Sequence, residues 1–126
     1  MVKGIESILL FSEDAQKLAN FYKDKVGLEI TTEAEMGEEG EDFFGFEFEG
    51  GPGLYIMHHS KVKSSSKEPE RIMFNLEVDD IEEDVKKLDK AGVKKIQDIY
   101  HMESYGLIAT FEDTDGNYFQ LVQVKA

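Results

Sequence analysis

The chain has 126 residues, with 14 Lys+Arg against 27 Asp+Glu and a formal net charge of −13. That length suits one domain, residues 1–126, and 40% hydrophobic residues with 9 Phe and 5 Tyr supply enough apolar material for a core, which excludes global disorder. The charge repels phosphate backbones and anionic headgroups, so no nucleic acid and no membrane surface is expected as a partner, and the absence of cysteine excludes disulfides, thiolate metal ligands and cysteine nucleophiles.

No apolar run approaches the ~20 residues of a membrane span or the core of a signal peptide, so a cytoplasmic protein is expected. Residues 4–11 read as a strand that stops at Ser12, an N-cap residue, with Glu13 and Asp14 placed to favour the start of a helix. Ala15, Leu18, Ala19 and Tyr22 then recur on one helical face, and Gly27 supplies a left-handed stop. Residues 28–34 look extended. The acidic run 33–41 reads as a solvated loop, with a gate over a binding site as its functional alternative. Phe44, Phe46 and Phe48 alternate as in a half-buried strand, and a glycine-rich turn at 50–53 leads into a further strand at 54–58.

Residues 60–70 hold serine, lysine and proline with almost no apolar side chain, and form a connector between module 1 (residues 1–59) and module 2 (residues 71–126). In the second module residues 72–78 alternate as a strand, and Asp80, followed by Glu83, opens a helix whose inner face is Ile81, Val85 and Leu88. Gly92 ends that helix. Residues 94–99, 107–112 and 118–124 read as three strands, the last two joined by the hairpin composition Asp113-Thr114-Asp115-Gly116-Asn117. Both halves therefore read β-α-β-β-β. The fold class is α+β: two βαβββ modules with a helix outside each sheet, forming a cup-shaped sheet around a shared cavity.

Three segments carry a family likeness: Asn20-Phe21-Tyr22-Lys23-Asp24-Lys25-Val26-Gly27-Leu28, Val78-Asp79-Asp80-Ile81, and the run from Glu112 through Asp113-Thr114-Asp115-Gly116-Asn117 to Leu121. They resemble the signatures of the vicinal-oxygen-chelate superfamily of glyoxalase I, extradiol dioxygenases, and bleomycin- and fosfomycin-resistance proteins. The resemblance implies a glyoxalase/bleomycin-resistance-like fold, a homodimer and, in the enzymes, a divalent ion held by one ligand on the first and one on the fourth strand of each half. Counting from Phe21 and Val78 places Ser7 and Met73 at the first-strand positions. Counting from the glycines places Gln120 and Met57 at the fourth-strand positions, with Ile56 or His58 one residue away. A hydroxyl, two thioethers and an amide lack the anionic and imidazole donors such ions need, so no metal and no cofactor is expected.

Adjacent strand residues point to opposite faces, so His58 and His59 cannot serve one ion together. If one of them faces the cup it is His58, because Leu54 and Ile56 on its face look buried, and its role is then a polar ligand contact or a proton transfer near neutral pH. In the fifth strand Met73, Asn75 and Glu77 lie opposite the helix-facing Ile72, Phe74, Leu76 and Val78. Tyr105-Gly106 resembles the family's pocket rim, and His101 falls in an irregular stretch beside it. The candidate ligand-binding set is Ser7, Met57, His58, Met73, Asn75, Glu77, Tyr105 and Gln120; no catalytic residue stands out. The reading is a small-molecule-binding protein with a degenerate metal site, its partner a small organic ligand, cationic or aromatic. The alternatives are a metal-dependent lyase, isomerase or dioxygenase of the glyoxalase type, and a non-catalytic interaction domain.

Overall fold

The computed structural model describes residues 1–125, which form two compact units, Met1–Ser64 and the stretch from Ser65 onward. The first holds β1 (Ser7–Ser12), α1 (Ala15–Phe21) running on into a π-helical turn (Tyr22–Val26), β2 (Thr32–Met36), β3 (Glu41–Phe46) and β4 (Gly53–His58). The second holds β5 (Phe74–Glu77), α2 (Ile81–Lys90), β6 (Lys94–Met102), β7 (Gly106–Glu112) and β8 (Tyr118–Val124). Each unit makes one four-stranded sheet, in the orders β1-β4-β3-β2 and β5-β8-β7-β6. The β1–β4 and β5–β8 pairs are parallel and the others antiparallel. The α+β class with two β-α-β-β-β modules is therefore observed.

In the first unit, buried Phe44, Phe46, Leu54 and Ile56 share the sheet face that meets Ala15, Leu18, Ala19 and Tyr22 of the helical segment. In the second, Phe74, Leu76, Phe111, Phe119 and Leu121 lie on the α2 side, against Ile81, Val85 and Leu88. Two contacts identify that side: the Ile81 backbone N–H donates to Gln123 Oε1 at 2.9 Å, and Lys95 Nζ meets Asp89 Oδ2 at 3.0 Å. Phe119 stacks on Phe74 and Phe111 at centroid distances of 6.2 and 5.9 Å.

The helix starts confirm one sequence assignment and correct another. Asp80 caps α2, its Oδ1 accepting from the Glu83 N–H at 3.2 Å. Asp14, not Ser12, caps α1, accepting from the Lys17 N–H at 3.1 Å. Ser12 still belongs to β1, paired with His58, and its buried hydroxyl accepts from the Asp14 N–H at 3.0 Å; the strand runs on, so the helix starts later. Gly27 at φ +91° and Gly92 at φ +79° adopt the left-handed conformation that ends each helical segment.

The acidic run is a hairpin rather than a loop: Glu33 and Glu35 lie on β2, the turn uses Gly37 and Gly40 at φ +82° and +65°, and β3 begins at Glu41. An edge strand with solvent on both faces has no apolar alternation to betray it. β3 stops at Phe46, leaving Phe48 exposed, and β5 starts only at Phe74, leaving Ile72 outside the helix-facing set and exposed. β6 is longer than expected and includes His101, paired with Leu107, so that residue lies on a strand rather than in an irregular stretch. Two register shifts in β6, between Lys95 and Gln97 and between Gln97 and Tyr100, interrupt its pattern.

Candidate functional site

The faces turned away from the helices carry the candidate chemistry. In the first unit, pairing and alternation put Ser7, Leu9, Phe11, Tyr55 and Met57 on one face, joined by Phe43 and Gly45 of β3. Leu9 and Phe11 are 49% and 39% exposed, a large apolar presentation for a sheet face. Ser7 and Met57 thus share a face, although they lie at opposite ends of the β1–β4 ladder.

His58 falls elsewhere. Leu54 and Ile56 pack toward α1 instead of lining the open face, and His58 follows them in alternation at the very end of β4, where its side chain turns to a residue of the Glu41, Phe43 and Gly45 row. Its imidazole Nδ1 meets the Glu41 carboxylate. His59 is the histidine beside the open face, edge-on to Phe11 with ring centroids 5.3 Å apart. The sequence argument fails here because it took buried neighbours as a sign of the ligand face, whereas the deepest burial in this unit is under the helix.

The register also corrects the counting. Ser7 stands two residues ahead of Leu9, which pairs with Tyr55; Met73 stands two ahead of Asn75, which pairs with Gln120. The counterpart of Gln120 in the first unit is therefore Tyr55, not Met57. Gly53 opens β4 itself, whereas Gly116 lies in the turn before β8, so equal counts from the two glycines reach different rungs of the ladder.

Tyr55 is held by an unusual floor. A Cβ on Gly45 would come within 2.9 Å of its ring, and one on Gly53 within 2.8 Å of its hydroxyl, so the ring lies flat across both glycines. Phe43 stacks on it at 5.4 Å with planes 21° apart. Its phenol lies within electrostatic reach of the Glu47 carboxylate, whose Oε1 accepts from the Thr31 and Thr32 hydroxyls at 3.1 and 3.3 Å. Burial of the phenol, then the charges of Glu47 and Glu6, push its pKa above the ordinary 10.0. Because the folded-state value is the raised one, the stability this group contributes is complete below pH 10.0 and is lost as pH climbs through the folded-state pKa. Alkaline titration followed by tyrosinate absorbance should lose amplitude above pH 10.0 in Tyr55→Phe. A loss confined to the ordinary tyrosine range would contradict this environment.

In the second unit, Asn75, Glu77 and Gln120 share the face opposite α2, together with Thr110 and Glu112. Gln120 Nε2 donates to Thr110 Oγ1 at 2.9 Å, and among the described residues no donor meets its amide oxygen. Asn75 Nδ2 lies 3.5 Å from the Tyr105 hydroxyl, so these two candidates are also brought together. Met73 precedes β5 and is 37% exposed. Thr110, Tyr55 and Glu47 were missed from sequence. Thr110 was within reach, since counting back across the 113–117 turn sets it opposite Gln120.

The four matching positions thus hold the Ser7 hydroxyl, the Tyr55 phenol, the Met73 thioether and the Gln120 amide. The phenol keeps its proton at neutral pH and the other three are neutral, so neither unit's pair fits a divalent ion, which favours carboxylate, imidazole or thiolate donors. Among the described residues no group of three or more His, Cys, Asp or Glu side chains is placed to hold a metal ion. Nor, among them, is any helix long and apolar enough to cross a membrane.

The protein is similar over nearly its whole length to known ones. It is 31% identical to the uncharacterized protein YetH of Bacillus subtilis (strain 168), over 96% of this chain and 98% of that protein. Its fold matches TnmS3, an antibiotic binding protein from Streptomyces sp. CB03234, with TM-score 0.73 and 20% identity, covering 98% of each chain. It also matches the trypanothione-dependent glyoxalase I of Leishmania major, with TM-score 0.75 and 18% identity, covering 97% of this chain and 87% of that one. A family model matches residues 4–121, through both β-α-β-β-β units, and with it the chain belongs to the Glyoxalase/Bleomycin resistance protein/Dioxygenase superfamily.

Proposed function

We propose that this chain is a small-molecule-binding member of its superfamily whose metal positions have been given over to neutral contacts. The fold does not choose between binding and catalysis, since it hosts both. The observation that carries the reading is the chemistry at the matching positions of each unit, Ser7 and Tyr55 in the first and Met73 and Gln120 in the second, where every side chain is neutral near pH 7 and Gln120 is already tied to Thr110. On the first unit's open face Leu9, Phe11 and Phe43 supply apolar contact area, and on the second unit's face Asn75, Glu77 and the Gln120 amide supply polar contacts, the two kinds of lining a small-molecule site needs. Glu77 and the net charge of −13 favour a cationic ligand, the second by a salt-dependent gain in encounter rate.

The test is a thermal-shift screen of cationic, aromatic and neutral compounds at low and moderate salt, with elemental analysis of untagged protein. A ligand that binds the native state at a hundred times its Kd stabilises by about 2.7 kcal/mol, a readily visible shift. Glu77→Gln and Gln120→Ala should shrink the shift given by a hit. Near-stoichiometric metal lost in Gln120→Ala, or metal-stimulated conversion of a hit, would replace this reading with the enzyme one, and silence across all compound classes would favour an interaction domain. A homodimer belongs to the same proposal, because among the described residues β1 and β5 each lie at the edge of their own sheet; light scattering at micromolar concentration is its check.

A further inference from the structure

The arrangement around Tyr55 is more specialised than a lining residue needs. An ordinary tyrosine on a sheet stands away from the backbone and can change rotamer. This one lies down because the two positions beneath it, Gly45 and Gly53, have no side chain. Neither glycine has a positive φ, so the backbone makes no demand for glycine at either place. The space they leave is filled by the tyrosine ring itself, at distances no Cβ would tolerate. The ring is further held by Phe43, stacked beside it with ring centroids 5.4 Å apart.

A flat, fixed aromatic surface loses little entropy when another flat ring stacks on it. Beside it stand Leu9, on the paired rung of β1 and half exposed, and the Glu47 carboxylate, which accepts from the hydroxyl of Thr32, the residue paired with Gly45. An aromatic face beside a carboxylate attracts a cation and repels an anion. We propose that Tyr55, laid flat over Gly45 and Gly53, is a stacking platform that selects a planar aromatic cation, with the two glycines as specificity-determining positions. This rests on the binding reading above and names the ligand class for the first unit's face.

The probe is proflavine, a planar tricyclic cation, titrated by fluorescence at about 150 mM salt to suppress non-specific attraction to the acidic surface. Tetramethylammonium and an anthracene carboxylate are the comparators, the one a cation without a ring and the other a ring with the wrong charge. Proflavine is expected to bind at one site, at least ten-fold more tightly than either comparator. Tyr55→Ala should weaken it roughly ten-fold, on the scale of one aromatic stacking contact. Gly45→Ala should weaken it by a similar factor by lifting the ring, while Tyr55→Phe, which keeps the ring, should cost no more than about three-fold. The glycine and alanine variants act in opposite ways on the same ring, so either alone suffices if the other fails to fold. Equal proflavine affinity in the parent and in Tyr55→Ala, or equal affinity for the anthracene carboxylate, overturns the proposal. If proflavine does not bind while another compound raises the melting temperature, the platform falls and the binding reading stands. If nothing in the panel binds, both fall.

Discussion

Truncating Phe119 to alanine is expected to remove about 4 kcal/mol of stability, the range found for deleting a fully buried aromatic ring. The side chain is wholly inaccessible, on a strand with neighbours on both sides, β5 and β7, and its ring is stacked on Phe74 and Phe111. Collapse into the vacated space is resisted because the ring is hemmed in by other rings on rigid strands, so the cavity term adds to the lost transfer energy. For a chain of this size that corresponds to a fall in Tm on the order of 15 °C. Phe119→Leu, which retains most of the volume, should cost about 1.5 kcal/mol. Urea denaturation of the two variants measures both values, and a loss under about 1 kcal/mol in the alanine variant would contradict the packing described for the second unit.

Gly106→Ala should be nearly as damaging, for a different reason. Gly106 opens β7 at φ +148°, and a Cβ there would sit 2.1 Å from the Gln123 carbonyl oxygen on the facing strand. The obstruction is backbone, so no side-chain rotation relieves it. Conformational strain and overpacking, each about 1–3 kcal/mol, together suggest roughly 3 kcal/mol. Gly51→Ala provides the comparison: Gly51 also has a left-handed conformation, at φ +77°, but no atom lies within 4 Å of its virtual Cβ, so only the strain component applies. The difference between the two variants in Tm isolates the clash. The Lys125 N–H bond to the Tyr105 carbonyl, 2.8 Å long, spans the same junction and should open with it, which amide exchange would detect.

What the sequence revealed depended on whether a local rule was enough. β8 was legible in full because alternation, a turn rich in Asp and Gly, and an aromatic start coincide at residues 113–124. Asp80 was legible as a cap because only one strand terminus competes for it. Ser12 misled because two capping side chains lie within one turn, and which one caps depends on how far β1 runs, a matter settled by pairing with β4. The acidic hairpin was hidden because it has no core-facing side. Of the candidate residues, Ser7 and Gln120 followed from counting along the segments of family likeness, and Asn75 and Glu77 from alternation; the pairing puts each on a face turned away from its helix. Tyr55 followed from neither, since identifying it as Gln120's counterpart requires the cross-strand register of both sheets, and its posture depends on two glycines that look like ordinary turn or strand residues in the sequence.

The parallel pairing of β1 with β4, and of β5 with β8, bears on how each unit is assembled. β2–β3, β3–β4, β6–β7 and β7–β8 are neighbours in sequence and can zip as they emerge, whereas β1 and β5 have no strand partner until the last strand of their unit has been made. Loop closure over a helix and two strands must come before any ladder bond rewards it, which makes the docking of β1 and β5 the slow event. Until then each leading strand is a free ribbon beside an uncovered helix face. Substitutions in β1 or β5 should therefore act mainly on the yield of soluble protein during synthesis, while those in the β7–β8 hairpin act mainly on the lifetime of the finished molecule.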